Sequence, residues 1–170
     1  MPWRAMETQD LPAVIGIADR VHLNYPEEEA VFAERQHLYP GGCFVLHAGP
    51  AEITGYIVSH PWHFKQPPVL NVLLERLPDP ASTFYVHDIA LLPETRGNGV
   101  ASDVVRKLIT HAKEAGFPNI SLVAVNDSTA FWERHGFRTL EDDALNKKLA
   151  TYDEHARYMV LGLRKRRQFT

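Results

Sequence analysis

The chain has 170 residues, 45% hydrophobic and 23% charged, with a formal net charge of −3. That length suits one domain with a core that needs no disulfides, and the mild acidic balance argues against a nucleic-acid binder. A lone cysteine, Cys43, excludes an intrachain disulfide and suits a reducing compartment. Residues 1–10 hold no apolar run and no stretch nears the roughly 20 apolar residues of a membrane span, so a soluble, cytoplasmic protein is expected.

In chain order, residues 3–6 read as a short strand. Asp10 then offers an N-cap carboxylate, Pro12 suits a first turn, and Val14, Ile15, Ala18 and Val21 recur at helical spacing. Glu27, Glu28 and Glu29 follow Pro26 and place acidic charge where a second helix begins. Residues 43–47 and 53–60 read as strands joined by Ala48-Gly49-Pro50. Residues 61–82 carry five prolines around the apolar run 69–74. They predict an ordered loop, with room for one short helix, that buries this run.

Residues 84–92 are rich in β-formers. Residues 100–115 form an amphipathic helix, with Val100, Val104, Val105, Leu108, Ile109 and Ala112 on one face and Gly116 as its stop. Residues 120–125 read as a strand buried on both faces, 127–135 as a short helix and 156–163 as a closing strand. Strand, helix, strand over 84–125 implies a parallel pair with a crossover helix. Residues 1–163 are thus expected to form one domain, and residues 164–170, with Arg164, Lys165, Arg166 and Arg167, a solvated basic tail.

The informative segment is Leu92-Pro-Glu-Thr-Arg-Gly-Asn-Gly-Val-Ala101. Pro93 ends the strand by withholding a backbone donor. Gly97 and Gly99 permit positive φ and leave no side chain in a ligand's way. The following helix begins with unpaired N–H groups at a positive dipole end, an anion site of the kind that holds a pyrophosphate, and Arg96 adds a forked cation. A tight strand-to-helix turn is the plainer reading of two glycines. A phosphate loop is excluded because no Lys-Ser or Lys-Thr occurs. A dinucleotide fingerprint would need glycine where Ser102 stands.

Arg96-Gly97-Asn98-Gly99-Val100-Ala101 resembles the acyl-CoA pyrophosphate signature of the GNAT N-acetyltransferase superfamily, Arg/Gln-x-x-Gly-x-Gly/Ala. His87-Asp-Ile-Ala-Leu-Leu-Pro93 is similar to that family's fourth strand, and Ala130-Phe-Trp-Glu-Arg-His-Gly-Phe137 to the helix and turn closing its cofactor site. The resemblance implies an α/β (α+β) domain: a mixed, mostly antiparallel sheet of six or seven strands flanked by helices, with a splayed parallel pair holding acyl-CoA. It implies acetyl transfer from acetyl-CoA to an amine of a small molecule or peptide by direct attack in a ternary complex; a homodimer is a common habit of the family. Ile89, Ala90 and Leu91 would lie along the pantetheine arm. Backbone groups from Arg96 to Ala101 would bind the pyrophosphate, and Asn126 and Trp132 would also touch the cofactor. Two other readings stay open: a non-catalytic acyl-CoA-binding module and a nucleotide-binding protein.

Amide formation from a thioester needs a proton acceptor for the amine, donors for the carbonyl and an acid for the thiolate. By the resemblance, histidines on the fourth strand serve as base, and Tyr85 and His87 occupy the matching positions. Two apart, they face one way in a regular strand, whereas Asp88, the rival proton acceptor, faces the other unless a bulge intervenes. An unperturbed pKa near 6.5 makes His87 the natural acceptor. Many members carry a tyrosine acid where Trp132 stands, and an indole has no comparable proton; solvent, or a tyrosine from elsewhere such as Tyr152 or Tyr158, would substitute. Cys43 reads as a buried structural thiol. His60, Trp62 and His63 lack metal-ligand spacing, so no metal is expected. The segment 62–64, with loop 61–82 and the residues near His22–Pro26, is expected to line the acceptor side.

Overall fold

The computed structural model describes residues 2–49, 52–125, 127–150 and 153–163. Seven strands, β1 (Trp3–Ala5), β2 (Cys43–Gly49), β3 (Glu52–Trp62), β4 (Thr83–Leu91), β5 (Asn119–Ala124), β6 (Arg138–Thr139) and β7 (Arg157–Gly162), form one sheet in the order β1-β2-β3-β4-β5-β7-β6. Every pairing is antiparallel except β4 with β5. The helices are α1 (Leu11–Val21), α2 (Glu29–Leu38), α3 (Val100–Glu114), α4 (Thr129–Arg134) and α5 (Asp143–Ala150).

Alternation along the strands sorts side chains into two cores. On one face Val14 and Ile17 of α1 and Phe32 of α2 pack with Tyr56, Val58 and Ala90. On the other, Val104, Val105, Leu108 and Ala112 of α3, the predicted apolar stripe, pack with Ile57, Phe84, Val86, Ile120 and Leu122. Such side chains contribute about 1.5–3 kcal/mol each when fully buried. Gly116 ends α3 with φ +84°, a left-handed stop that glycine adopts without steric cost. A third cluster joins Tyr85, Leu145, Leu149 and Tyr158 under α5.

Four expectations need correcting. Asp10 does not cap α1. Its carboxylate accepts the Glu7 N–H at 2.8 Å and takes both ends of the Arg4 guanidinium at 2.6 and 2.7 Å, so the arginine fork competes for it. The run 69–74 is not buried: Val69 is 62% exposed, and Val72 and Leu73 are 49% exposed. No helix forms in that loop; its backbone N–H groups bond to side chains instead, Asn71 to Glu27 and Leu74 and Glu75 to Glu34. Finally, β6 and α5 were absent from the periodic pattern, being two and eight residues long. The basic tail, Asn126 and Tyr152 lie outside the described residues.

Candidate active site

β4 and β5 pair for three residues only, Phe84 with Ile120, Tyr85 with Ser121 and Val86 with Leu122. Beyond Val86, β4 runs on to Leu91, still paired with β3 on its other side, while β5 ends at Ala124. The parallel pair is therefore splayed, and a cleft of about 670 Å³ opens between His87–Leu91 and Leu122–Val125. Its wall is a strand edge, against which an extended, amide-bearing arm can add as a further strand. Ile89, Ala90 and Leu91 all line it.

One end of the cleft is suited to an anion. A 3-10 turn over Pro93–Thr95, held by the Thr95 hydroxyl donating to Leu92 O at 2.8 Å, leads out of β4. Gly97 and Gly99 then take φ of +90° and +74°, and a Cβ at either would meet nothing within 4 Å. Backbone conformation, not crowding, thus demands glycine, and the space before the loop is open. The first bond of α3 runs from Asp103 N to Gly99 O, so the N–H groups of Val100, Ala101 and Ser102 precede it at the positive end of a 15-residue helix. Arg96 and Arg134 add two cations to the lining. Asn98 is exposed and does not line the cleft. Trp132 does, although it is only 4% exposed and packs edge-on against Phe131 and Phe137.

The other end carries titratable groups. Val58 pairs with Asp88 and Ser59 with Val86, so β4 bulges at His87. The extra residue breaks strand alternation, and His87 and Asp88 both face the same two cavities. His87 Nε2 lies 2.7 Å from Glu27 Oε1, whose other oxygen accepts the Asn71 N–H at 2.9 Å. Burial alone would raise the Glu27 carboxyl; its contacts with His87 and Asn71 outweigh that and hold it below the ordinary range. Asp88 accepts a short hydrogen bond from the Tyr56 hydroxyl and lies 2.6 Å from His22 Nε2, an ionic contact off the hydrogen-bond axis. Burial lowers the His22 pKa, but Asp88, the Ile89 backbone and Glu27 more than reverse this, leaving it raised.

A second cavity of about 80 Å³ adjoins, lined by Tyr25, Glu27, Pro68, Leu70 and Tyr85. His22, His87, Asp88, Val123 and Val125 line both cavities. The spaces therefore meet at two carboxylate–histidine pairs.

A cleft with an anion-suited loop at one end and two carboxylate–histidine pairs at the other has the outline expected of an acyl-CoA site. The model of the acetyltransferase (GNAT) family matches residues 8–137. This chain belongs to the GNAT family. Its fold is similar to the ribosomal-protein-S18-alanine N-acetyltransferase from Escherichia coli, at 19% identity and TM-score 0.65, covering 99% of this chain and 98% of that one. Rv2747 from Mycobacterium tuberculosis, solved with CoA, matches at 16% identity and TM-score 0.68 over 95% and 98% of the two chains. A GNAT-like decarboxylase, GphF, solved with isobutyryl-CoA, matches at 15% identity and TM-score 0.75 over 96% and 100%. At these identities the likeness is one of fold. No curated protein sequence matches.

Within this GNAT domain other expectations resolve differently. Trp62 and Phe64 pack with Tyr85 and Tyr158 and line neither of these two cavities, whereas Pro68 and Leu70 of the same loop line the smaller one. Tyr158 is fully buried and its hydroxyl accepts the Lys65 N–H at 2.9 Å, away from the cleft. Cys43 is buried, and burial pushes its thiol up to about 12. His60 donates from Nδ1 to Pro61 O at 2.8 Å, and burial brings its pKa down to about 3. Among the described residues no group of three or more His, Cys, Asp or Glu could hold a metal, and no helix is long and apolar enough to cross a membrane. Sequence reasoning missed Glu27 and Tyr56 as site residues, and it expected the loop near His22 to line the site without pairing His22 with Asp88. Glu27 carried a signal, acidic charge before α2, but nothing tied it to a histidine 60 positions away.

Proposed function

We propose that this protein is an N-acetyltransferase that moves an acetyl group from acetyl-CoA to an amine by direct attack in a ternary complex. The observation that carries the reading is the meeting of the two cavities at His87. The long one accommodates an anion-headed, amide-bearing donor, and the short one a small acceptor group. Backbone N–H groups of 97–101 and Arg96 would hold the pyrophosphate, and β4 edge groups of Ile89 and Leu91 the pantetheine arm. His87, oriented by Glu27, takes the amine proton. Tyr85 lines the acceptor cavity beside it. Ser102, 3.0 Å from His135 Nε2, lines the cleft in the first turn of α3 and not where the two cavities meet, and the buried Cys43 thiol is neutral, so direct attack is favoured over a covalent acyl-enzyme.

The acceptor cavity is small, partly apolar through Pro68 and Leu70, and bears the Glu27 and Asp88 carboxylates. This favours an ammonium head, from a small molecule or a peptide, over an anionic one. The test is thermal unfolding with acetyl-CoA, CoA and NAD, followed by an amine panel assayed for released thiol. A ligand at 100 times its Kd adds about 2.7 kcal/mol. Shifts with both CoA forms but not NAD, together with amine-dependent thiol release, are expected. A CoA shift without turnover points to the binding-module alternative; no CoA shift sinks the reading.

A further inference from the structure

Among the described residues, every exposed large hydrophobic side chain falls in two short segments: Leu23 in one, and Val69, Leu70, Val72 and Leu73 in the other. Single exposed apolar side chains need no explanation, but a group of them marks a place where something apolar binds. Both segments border the smaller cavity, which His22 and Tyr25 line from one and Pro68 and Leu70 from the other. They are also tied together. The Glu28 N–H donates to Asn71 Oδ1 at 2.7 Å, and the Asn71 N–H donates to Glu27 Oε2 at 2.9 Å.

We propose that the acceptor is the N-terminus of a peptide with apolar leading side chains, whose α-ammonium enters the smaller cavity while those side chains lie on the platform 69–73. This rests on the N-acetyltransferase reading above and narrows its acceptor. The platform is held in place. The Leu74 and Glu75 N–H groups donate to the two Glu34 oxygens at 2.6 and 2.9 Å, and the fully buried Arg35 donates to Val72 O at 3.3 Å. Polar side chains of α2 thus fix the backbone of the run while Val69, Val72 and Leu73 stay in water. An apolar surface fixed in this way binds without first being ordered.

Three observations choose the occupant. The cavity, about 80 Å³, admits an ammonium head and little more, so the rest of the acceptor leaves past Pro68 and Leu70, beside Val69. Glu27 and Asp88 line that cavity, and Glu28, Glu29 and Glu75 are exposed on the two segments. A free amino acid would bring its carboxylate against these like charges, whereas the first peptide bond removes it. Finally, the proposed base is an imidazole. A peptide α-amino group, with a pKa of about 7.7–8.0, yields its proton to imidazole far more readily than an alkylamine near 10.4 does.

The test compares acceptors on the wild-type chain and on one carrying Val69→Asn, Val72→Asn and Leu73→Asn, three side chains that line neither cavity. With wild type, a pentapeptide beginning Leu-Leu should exceed one beginning Ser-Ser, free leucine and hexylamine by about tenfold or more in kcat/KM. The triple variant should raise the KM of the Leu-Leu peptide about tenfold, since the apolar area it covers is lost. Its kcat, its KM for the Ser-Ser peptide and its acetyl-CoA KM should not change. Should the triple variant unfold early, Val72→Thr, which keeps the side-chain shape, should still raise the same KM. An unchanged KM for the Leu-Leu peptide, or an equal loss with both peptides, overturns the proposal. Hexylamine or leucine outpacing the peptide overturns it as well and makes the acceptor a small amine. Failure of the underlying reading looks different, because the wild-type chain then releases no thiol from acetyl-CoA with any of these amines.

Discussion

Glu27 Oε1 stands 2.7 Å from His87 Nε2, and the two side chains are only 4% and 5% exposed. A carboxylate this dry is retained for a partner, and here it sets the orientation of the proposed base. Glu27→Gln should reduce kcat by roughly 10- to 100-fold, as loss of an orienting partner does, with the acetyl-CoA KM little changed. The same substitution has a pH signature in stability. The Glu27 carboxyl lies below its ordinary value in the folded chain, so its contribution is complete above that ordinary value, near 4.5, and is lost as pH falls through the lowered one. Thermal unfolding should therefore show wild type and Glu27→Gln converging as pH drops below about 4.5; a constant difference would count against it.

Gly99→Ala separates the loop's conformation from the rest of the fold. At φ +74° an alanine costs about 1–2 kcal/mol, so Tm should fall by a few degrees only. If 97–101 is the pyrophosphate site, the acetyl-CoA KM should rise at least about tenfold, because its backbone donors are displaced. Steady-state kinetics beside an unfolding curve decide this.

Leu70 is 39% exposed and lines the acceptor cavity without lining the donor cleft. Leu70→Ala should shift preference among amines, raising KM severalfold for those with apolar substituents, while the acetyl-CoA KM stays constant. Parallel changes in both would place Leu70 elsewhere in the cycle.

Arg35 is fully buried, with Nη1 3.0 Å from Glu34 Oε1 and Nη2 3.3 Å from Val72 O. Its removal leaves the Glu34 carboxylate without its cation. Arg35→Met should cost about 3–5 kcal/mol in denaturant unfolding, more than its surface neighbours. A loss below about 1 kcal/mol would mean that the ion pair is as weak as an exposed one.

His60 has the same pH sign as Glu27 but acts over a higher window. Burial takes its pKa from 6.5 to about 3, so the unfolded chain binds a proton that the folded chain refuses. Stability is therefore lost as pH falls from about 6.5 towards 3. His60→Gln should flatten that part of the stability–pH curve, measured as Tm from pH 7 to pH 4.

Much of this protein is local and was legible without coordinates. The strand over 84–92, the loop through Gly97 and Gly99 and the helix from Val100 are contiguous, and each rests on short-range rules: β-formers, positive φ and a stripe at helical spacing. The single parallel pair followed from the same segment, since a strand, a helix and a strand leave few connections. Less of loop 61–82 was legible. Its apolar run promised burial, but the loop turns at Leu70 and Asn71, where Asn71 takes φ +60°, and Glu27, Glu34 and Arg35 fasten its backbone from outside.

What the sequence by itself determined is therefore one end of the cleft: where the β4 edge lies and where two glycines turn the chain ahead of the unpaired N–H groups of α3. Tertiary structure alone decided the other end, where the carboxylate–histidine pairs assemble. His87 meets Glu27 across 60 positions and Asp88 meets Tyr56 across 32, and no pattern of period 2 or 3.6 carries such pairings. The deciding feature is the one-residue bulge in β4. Alternation sends Asp88 to the face opposite His87, but the extra residue against Val58 and Ser59 brings both to one junction, because a shift of one residue reverses the facing of every side chain that follows.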